Sequence, residues 1–328
     1  MEVLLIGGTG NVSSSVAEEL ARLGHGVTLL TTGRRPVPKE FRHIQADRHD
    51  EKALAAALKD CRMEAVIDFA AFKPEQCVTA WRVLRGRLRQ FIFISTAAVY
   101  EKPPKELPIT EQTPLGNPYW DYARQKADCE NYFGKVHGPE FPVTIVRPSH
   151  TFGPSWIPSP MSGSDYTVAA RILAGRPIIV HGDGQSLWTL TASSDFAAGL
   201  VCLVGNEKAL GEAFHITQDQ VLTWNAIYHE IGLALGREPR IVHIPTEFLA
   251  EVHPPAIGRL IGDKANDAVF DNAKIKRFAP DFECRKSFRA AIRESVAWYN
   301  EDESRKRIDP ERDNLIDSLI EQWGKERG

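Results

Sequence analysis

The sequence is short of several things, and each shortage removes a class of explanation. Its five cysteines, Cys61, Cys77, Cys129, Cys202 and Cys284, are odd in number and form no CxxC pair, so they read as reduced, packed thiols rather than a disulfide framework. An excess of one charge is missing too. Lys and Arg number 40 against 43 Asp and Glu, which gives no general pull towards nucleic acid or an anionic membrane. None of the ten histidines lies in an HExxH or beside cysteine at ligand spacing, so no metal is expected. No GxSxG surrounds Ser13, Ser14 and Ser15, which argues against a hydrolase nucleophile elbow. There is no apolar run of membrane-spanning length, and no basic leader precedes "MEVLLIGGTG". A cytoplasmic protein with no membrane association is therefore expected.

What is present has a rhythm. Apolar runs of strand length, "VLLIG", "VTLLT", "AVIDF", "FIFIS" and "VTIVR", alternate with helix-period segments through the first half. Strands apolar on both faces, each followed by a helix, imply a doubly wound α/β fold around a parallel sheet. Residues 1–150 read as a Rossmann-type dinucleotide-binding domain that also receives later segments, and 151–328 as a smaller α/β substrate lobe. Near the end, "NLIDSLIEQW" puts Leu315, Ile316, Leu319, Ile320 and Trp323 on one helical face suited to docking on the body.

The stretch "LLIGGTGNVSSS" is a strand, a glycine turn and a helix start. Gly7 permits the turn, Gly10 lets the backbone approach a pyrophosphate, and the helix amino terminus offers N–H groups to that anion. After the second strand, where an acidic residue would hold the ribose of NAD, stand Thr31 and Thr32, followed by Arg34 and Arg35. Arginine forks suit a 2'-phosphate, so NADP is favoured over NAD. Asp47 and Arg48 follow the third strand, where an adenine edge would lie.

In "NPYWDYARQK" a helix capped by Asn117 and starting at Pro118 puts Tyr122 and Lys126 one turn apart on one face, with Tyr119 two turns from the lysine. A tyrosine hydroxyl ionises near about 10, and a nearby ammonium favours the phenolate. Ser95 and Thr96, at the end of the preceding strand, offer hydroxyls to hold a substrate oxygen near that tyrosine.

With these residues in order, the chain closely resembles the extended short-chain dehydrogenase/reductase family, which includes the NAD-dependent epimerases and dehydratases of nucleotide sugars. A weaker likeness is to its atypical branch, with the chloroplast stem-loop binding proteins. The matching residues are the glycine motif Gly7 to Val12, "DFAA" around Ala70 and Ala71, Thr96 before "AAVY", the YxxxK of Tyr122 and Lys126, and "IVRPSHTFGP". "HGDGQS", Asp195 and "FDNAKIKRFAPDF" follow as later echoes. The resemblance implies that Tyr122 is the general acid/base, that Lys126 lowers its pKa and binds nicotinamide ribose, and that Thr96 orients the reacting oxygen. Gly7, Thr9, Gly10, Asn11, Val12, Ala70, Ala71, Ser95 and Pro148 would contact the cofactor. Phe72, His150 and Trp188 would meet the substrate. A homodimer through the helices of 74–84 and 118–134 is also implied.

Three departures bear on substrate. Ser13 replaces the third glycine, which should loosen helix packing slightly. Ala97 and Ala98 stand where family dehydratases carry an acidic pair, which argues against dehydration. His150 replaces an asparagine, and Trp188 an arginine that would bind a diphosphate, leaving a flat apolar surface in place of a cation. The leading expectation is hydride transfer to or from a secondary alcohol or ketone of a sugar-like substrate. The alternatives are a nucleotide-sugar epimerase that retains NAD, and a non-catalytic nucleotide-sensing or RNA-binding protein using Arg82, Arg85, Arg87 and Arg89.

Overall fold

The computed structural model of the protein describes residues 1–161, 163, 165–280 and 282–327; Ser162, Ser164 and Asp281, the last within "FAPDF", lie outside the described residues. The strands are β1 (Glu2–Ile6), β2 (Gly26–Thr31), β3 (Arg42–Gln45), β4 (Ala65–Asp68), β5 (Gln90–Ile94), β6 (Val143–Pro148), β7 (His150–Phe152), β8 (Pro177–His181), β9 (Leu187–Trp188), β10 (Leu190–Ala192), β11 (Ala213–Ile216), β12 (Leu222–Thr223) and β13 (Arg240–Ile244). Seven of them form one parallel sheet in the order β11-β6-β5-β4-β1-β2-β3. The order reverses between β1 and β4, which opens the crevice where doubly wound sheets bind their ligands.

Alternation along β1 shows how the sheet is covered. Val3 and Leu5 enter a core with Val16, Ala17 and Leu20 of helix α1 (Ser13–Arg22). Leu4 and Ile6 enter the opposite core with residues of α2 (Glu51–Leu58), α3 (Pro74–Leu84) and α4 (Asp121–Val136). Each fully buried Leu or Ile contributes about 1.5–3 kcal/mol, so a strand apolar on both faces is stable only as a middle layer.

Helices α5 (Thr167–Ala174), α6 (Ser193–Val201) and α7 (Trp224–Leu235) follow. Although they come after residue 150, α6 covers the large sheet beside α1 and β11 forms its edge. The short pairs β7/β10, β8/β13 and β9/β12 frame a separate core around Trp188, Trp224 and Tyr228. The last helix, Pro310–Arg327, buries Ile316 and Leu319 against Ile179, Ile244 and Leu249. No described helix is long and apolar enough to cross a membrane.

One expectation, the start of α4, changes here, and the surroundings of the basic patch become visible. Helix α4 starts at Asp121 rather than Pro118, and Asn117 is not its cap. The Asn117 amide instead donates to the carbonyls of Ala98 (2.9 Å) and Gly262 (2.6 Å), tying the site to a π-helical turn at Leu260–Lys264. The four arginines of the basic patch are each engaged. Arg82 pairs with Glu51, Arg85 stacks on Trp81, Arg87 donates to the Leu58 carbonyl, and Arg89 lies 3.8 Å from both Glu64 and Glu207.

Candidate active site

The glycine turn is built tightly. Gly7 has φ +86°, and a Cβ at Gly8 would stand 2.6 Å from Leu29 Cδ2, so larger residues are excluded by backbone and by contact. Ser13, the residue in place of the third glycine, has a structural part in the turn. Its buried hydroxyl donates to the Gly7 carbonyl and accepts from the Gly10 amide, both at 2.8 Å, stitching the turn to the first residue of α1. Val12 precedes that helix without a side-chain cap bond, leaving its amino terminus open to an anion. Asn11 Oδ1 accepts from the Gly153 amide and Ser155 hydroxyl, each at 3.1 Å, while its Nδ2 is buried without a partner among the described residues.

At the end of β2, Thr31 is buried, its hydroxyl 3.0 Å from His43 Nε2 and accepting from the Gly33 amide. It shapes the turn. Arg34 is exposed, and Arg35 Nη1 lies across the glycine turn on the Thr9 carbonyl at 3.0 Å. Asp47 is exposed, with Oδ1 accepting from the His49 amide.

Arg48, expected beside an adenine edge, is buried and bonded within the protein. Its Nη1 lies 2.5 and 2.7 Å from the two oxygens of Asp68, and Nη2 donates to the Gln76 carbonyl at 2.9 Å. Asp68 is wholly buried at the carboxyl end of β4. A lone carboxylate there would cost several kcal/mol, and Arg48 neutralises it. Asp68 Oδ1 also accepts from the Ala70 and Ala71 amides, fixing the "DFAA" turn. No motif in the sequence singled out Asp68 for this task.

Thr96, extended at the end of β5, accepts from the Ala98 amide at 3.2 Å. Tyr122 packs between Trp120, with ring centroids 4.9 Å apart, and Phe72, at 6.3 Å. Burial pushes its hydroxyl up to about 12; hydrogen bonding with Thr96 opposes this, and the Asp263 carboxylate adds to it. Lys126 Nζ donates to the carbonyls of Ala71 and Ile94, both at 2.7 Å, and lies over the rings of Phe72 and Phe93. Burial lowers it to about 8, with Asp68 opposing.

The expected electrostatic pairing is therefore not displayed: the ammonium is committed to two carbonyls, and the tyrosine is held neutral by desolvation. Ser95 Oγ, beside the lysine's anchor, is buried without a partner among the described residues. Together with Asn11 Nδ2 it offers unused polar atoms on the path a dinucleotide would take, so the residues present fit such a cofactor.

A cavity of about 1440 Å³ connects these parts, running from Thr9, Gly10 and Arg35 past Thr96 and Tyr122 to Pro148, His150 and Trp188. Phe72, 44% exposed, stands beside Tyr122 outside this lining. His150 lies among Trp156, Trp188 and Trp224, its ring centroid 5.1–6.2 Å from theirs. Burial, then the Lys264 charge, lowers it to about 3, so it is neutral, and its Nε2 has no partner among the described residues. Trp188 is both wall and core: its indole N–H donates to the carbonyls of Lys264 (3.1 Å) and Asn266 (3.0 Å).

Sequence reasoning missed Trp120, Lys102, Asp263 and Lys264, which also line the cavity. Trp120 stands within "NPYWDYARQK" but was given no role there; Lys102, Asp263 and Lys264 lie outside the motif runs, and only the fold brings them to the cavity.

A doubly wound sheet with a glycine turn at its switch point and a Thr-Tyr-Lys set across the crevice defines a Rossmann-type enzyme of the short-chain dehydrogenase/reductase kind. A profile of the NAD dependent epimerase/dehydratase family matches residues 3–82 and 74–217, and the chain belongs to that family of NAD-dependent enzymes. It is similar to the 2'-dehydrokanamycin reductase of Streptomyces kanamyceticus, 26% identical over 87% of this chain and 81% of the relative. It is also similar to the chloroplast stem-loop binding protein of 41 kDa b of Arabidopsis thaliana, 28% identical over 75% and 67%. Among solved structures, the UDP-glucose 4-epimerase of Bifidobacterium longum in complex with NAD+ and UDP superposes with a TM-score of 0.75 at 19% identity, covering 94% of this chain and 100% of that one. That likeness supports the fold.

Proposed function

We propose that the protein is an NAD(P)-dependent oxidoreductase acting on a secondary alcohol or ketone of a sugar-like molecule. The observation that carries this reading is one continuous cavity holding the glycine turn at one end and Thr96, Tyr122, His150 and Trp188 further along. When bound, the nicotinamide cofactor supplies or accepts the hydride.

The chain's own residues do the rest. Thr96 holds the reacting oxygen, and Tyr122 gives a proton to it or takes one from it through its hydroxyl. Kept neutral by burial, Tyr122 is ready to donate in the reducing direction. Lys126, with Ala70, Ala71, Ser95 and Pro148, anchors the nicotinamide end, and its charge favours the phenolate once the proton has left. His150 presents a neutral ring nitrogen to a substrate hydroxyl, and Trp188 a flat face to its ring. With no carboxylate at the end of β2 and Arg34 and Arg35 beside it, NADP is the form we favour. We further propose a cytoplasmic homodimer, joined through α3 and α4.

A second reading, epimerisation with retained NAD, is favoured by a 34% identity over 209 residues to a UDP-glucose 4-epimerase of Lactobacillus helveticus. The indole of Trp188, in place of a diphosphate-binding arginine, weighs against it. Native mass spectrometry of the purified protein separates the two. An oxidoreductase releases its cofactor on dilution, and firmly held NAD at full occupancy would favour the epimerase.

A further inference from the structure

We propose that Lys102 and Lys264 form an anion subsite on the wall of the active-site cavity, so that the substrate is a sugar-like alcohol or ketone carrying one carboxylate or phosphate group. The proposal rests on the oxidoreductase reading for what the cavity does and adds what it selects.

Lys102 leaves the turn after β5 and is only 7% exposed, yet it lines the cavity. Its ammonium makes no ion pair or hydrogen bond among the described residues. Burial lowers the Lys102 pKa and the Asp263 charge offsets this only in part, so a ligand that neutralises the ammonium relieves the remaining cost on binding. Lys264 comes from the π-helical turn Leu260–Lys264 and lies 2.9 Å from Asp263 Oδ2 and 5.3 Å over the Trp188 ring. Such turns recur at functional sites because they re-aim side chains.

Lys102, Asp263 and Lys264 line the same cavity as Tyr122 and His150, which places the group near the reacting end. The Asp263 carboxylate acts on both Lys102 and Tyr122, and the Lys264 charge acts on Lys102 and His150. Lys102, Lys264 and the neighbouring Arg259 outnumber the Asp263 carboxylate on this wall, which leaves it net positive. Ammoniums are compact point charges that suit a single oxyanion, whereas an extended diphosphate is better served by the planar forks absent at Trp188. The indoles of Trp120 and Trp188, both on the cavity wall, supply flat faces for the ring that bears the anion. Asp263 alone would attract a substrate amine, but Lys264 already engages it.

Calorimetry on the protein saturated with NADP or NAD tests this, with D-glucuronate, glucose 6-phosphate, glucose and glucosamine as probes. At least one anion should bind ten-fold or more tightly than glucose, and which one names carboxylate or phosphate. Lys102→Met and Lys264→Met should each reduce that preference to near unity. Tyr122→Phe should keep the preference while losing turnover, so failure of the subsite and failure of the catalytic reading are told apart. Glucose or glucosamine binding as tightly as both anions, no measurable binding of either anion, or a preference that survives in Lys102→Met would each overturn the proposal. The wild-type comparison decides the matter even if a lysine variant does not fold.

Discussion

Lys126 illustrates how a residue's role depends on what holds it. Two carbonyls fix its ammonium, while burial brings its pKa down to about 8. If the charged form is the working one, kcat/KM of the free enzyme should fall as pH rises through about 8. Lys126→Arg, whose guanidinium stays charged above about 12, should remove that limb. Initial-rate profiles from pH 6 to 10 check this. The identity of Tyr122, Lys126 and Thr96 as a set was legible because their order and spacing are a sequence property. Their electrostatics were not, since Tyr122 is governed by burial and by Asp263, far along the chain. Ser13 teaches the same lesson: read as a missing glycine, it is a hydroxyl that closes the turn.

At the scale of elements, the strands were plain from runs such as "VLLIG", because a parallel middle layer demands apolar residues on both faces. What joins strand to strand was less plain. The turn after β4 depends on the buried pair of Asp68 and Arg48, a residue expected at the cofactor. Asp68→Asn leaves the Arg48 charge buried and uncompensated, and should destabilise the protein by about 3–5 kcal/mol in urea unfolding. Replacing the exposed Arg34 by Gln should leave stability within about 0.5 kcal/mol, while weakening NADP relative to NAD if the 2'-phosphate reading is right. The start of α4 was misplaced because Asn117 resembles a cap in sequence. Its true partner at Gly262 is 145 residues away.

On the scale of the whole molecule, the substrate lobe encloses histidines that cannot take up a proton easily. Burial lowers His150 to about 3 and His181 to about 4, against about 6.5 in an unfolded chain. The native state then binds fewer protons than the unfolded state between those values. Their contribution is complete above about pH 6.5 and is lost as pH falls towards 4, at about 1.4 kcal/mol per pH unit for each histidine. Urea midpoints at pH 7 and pH 5 should show that loss, and His150→Asn should reduce it. The second lobe was the least legible part, because its short strands and loops place Trp156, Trp188 and Trp224 by tertiary contact rather than by any periodic pattern. The central claim is that this cavity exchanges a proton through Tyr122 while a nicotinamide exchanges a hydride. It is tested most directly by following absorbance at 340 nm across a panel of sugar acids, sugar phosphates and neutral sugars with wild type and Tyr122→Phe. The account predicts turnover by wild type and a fall in kcat of about 10²-fold or more in the variant, with cofactor affinity unchanged; a Tyr122→Phe protein that turns over as fast as wild type would contradict it.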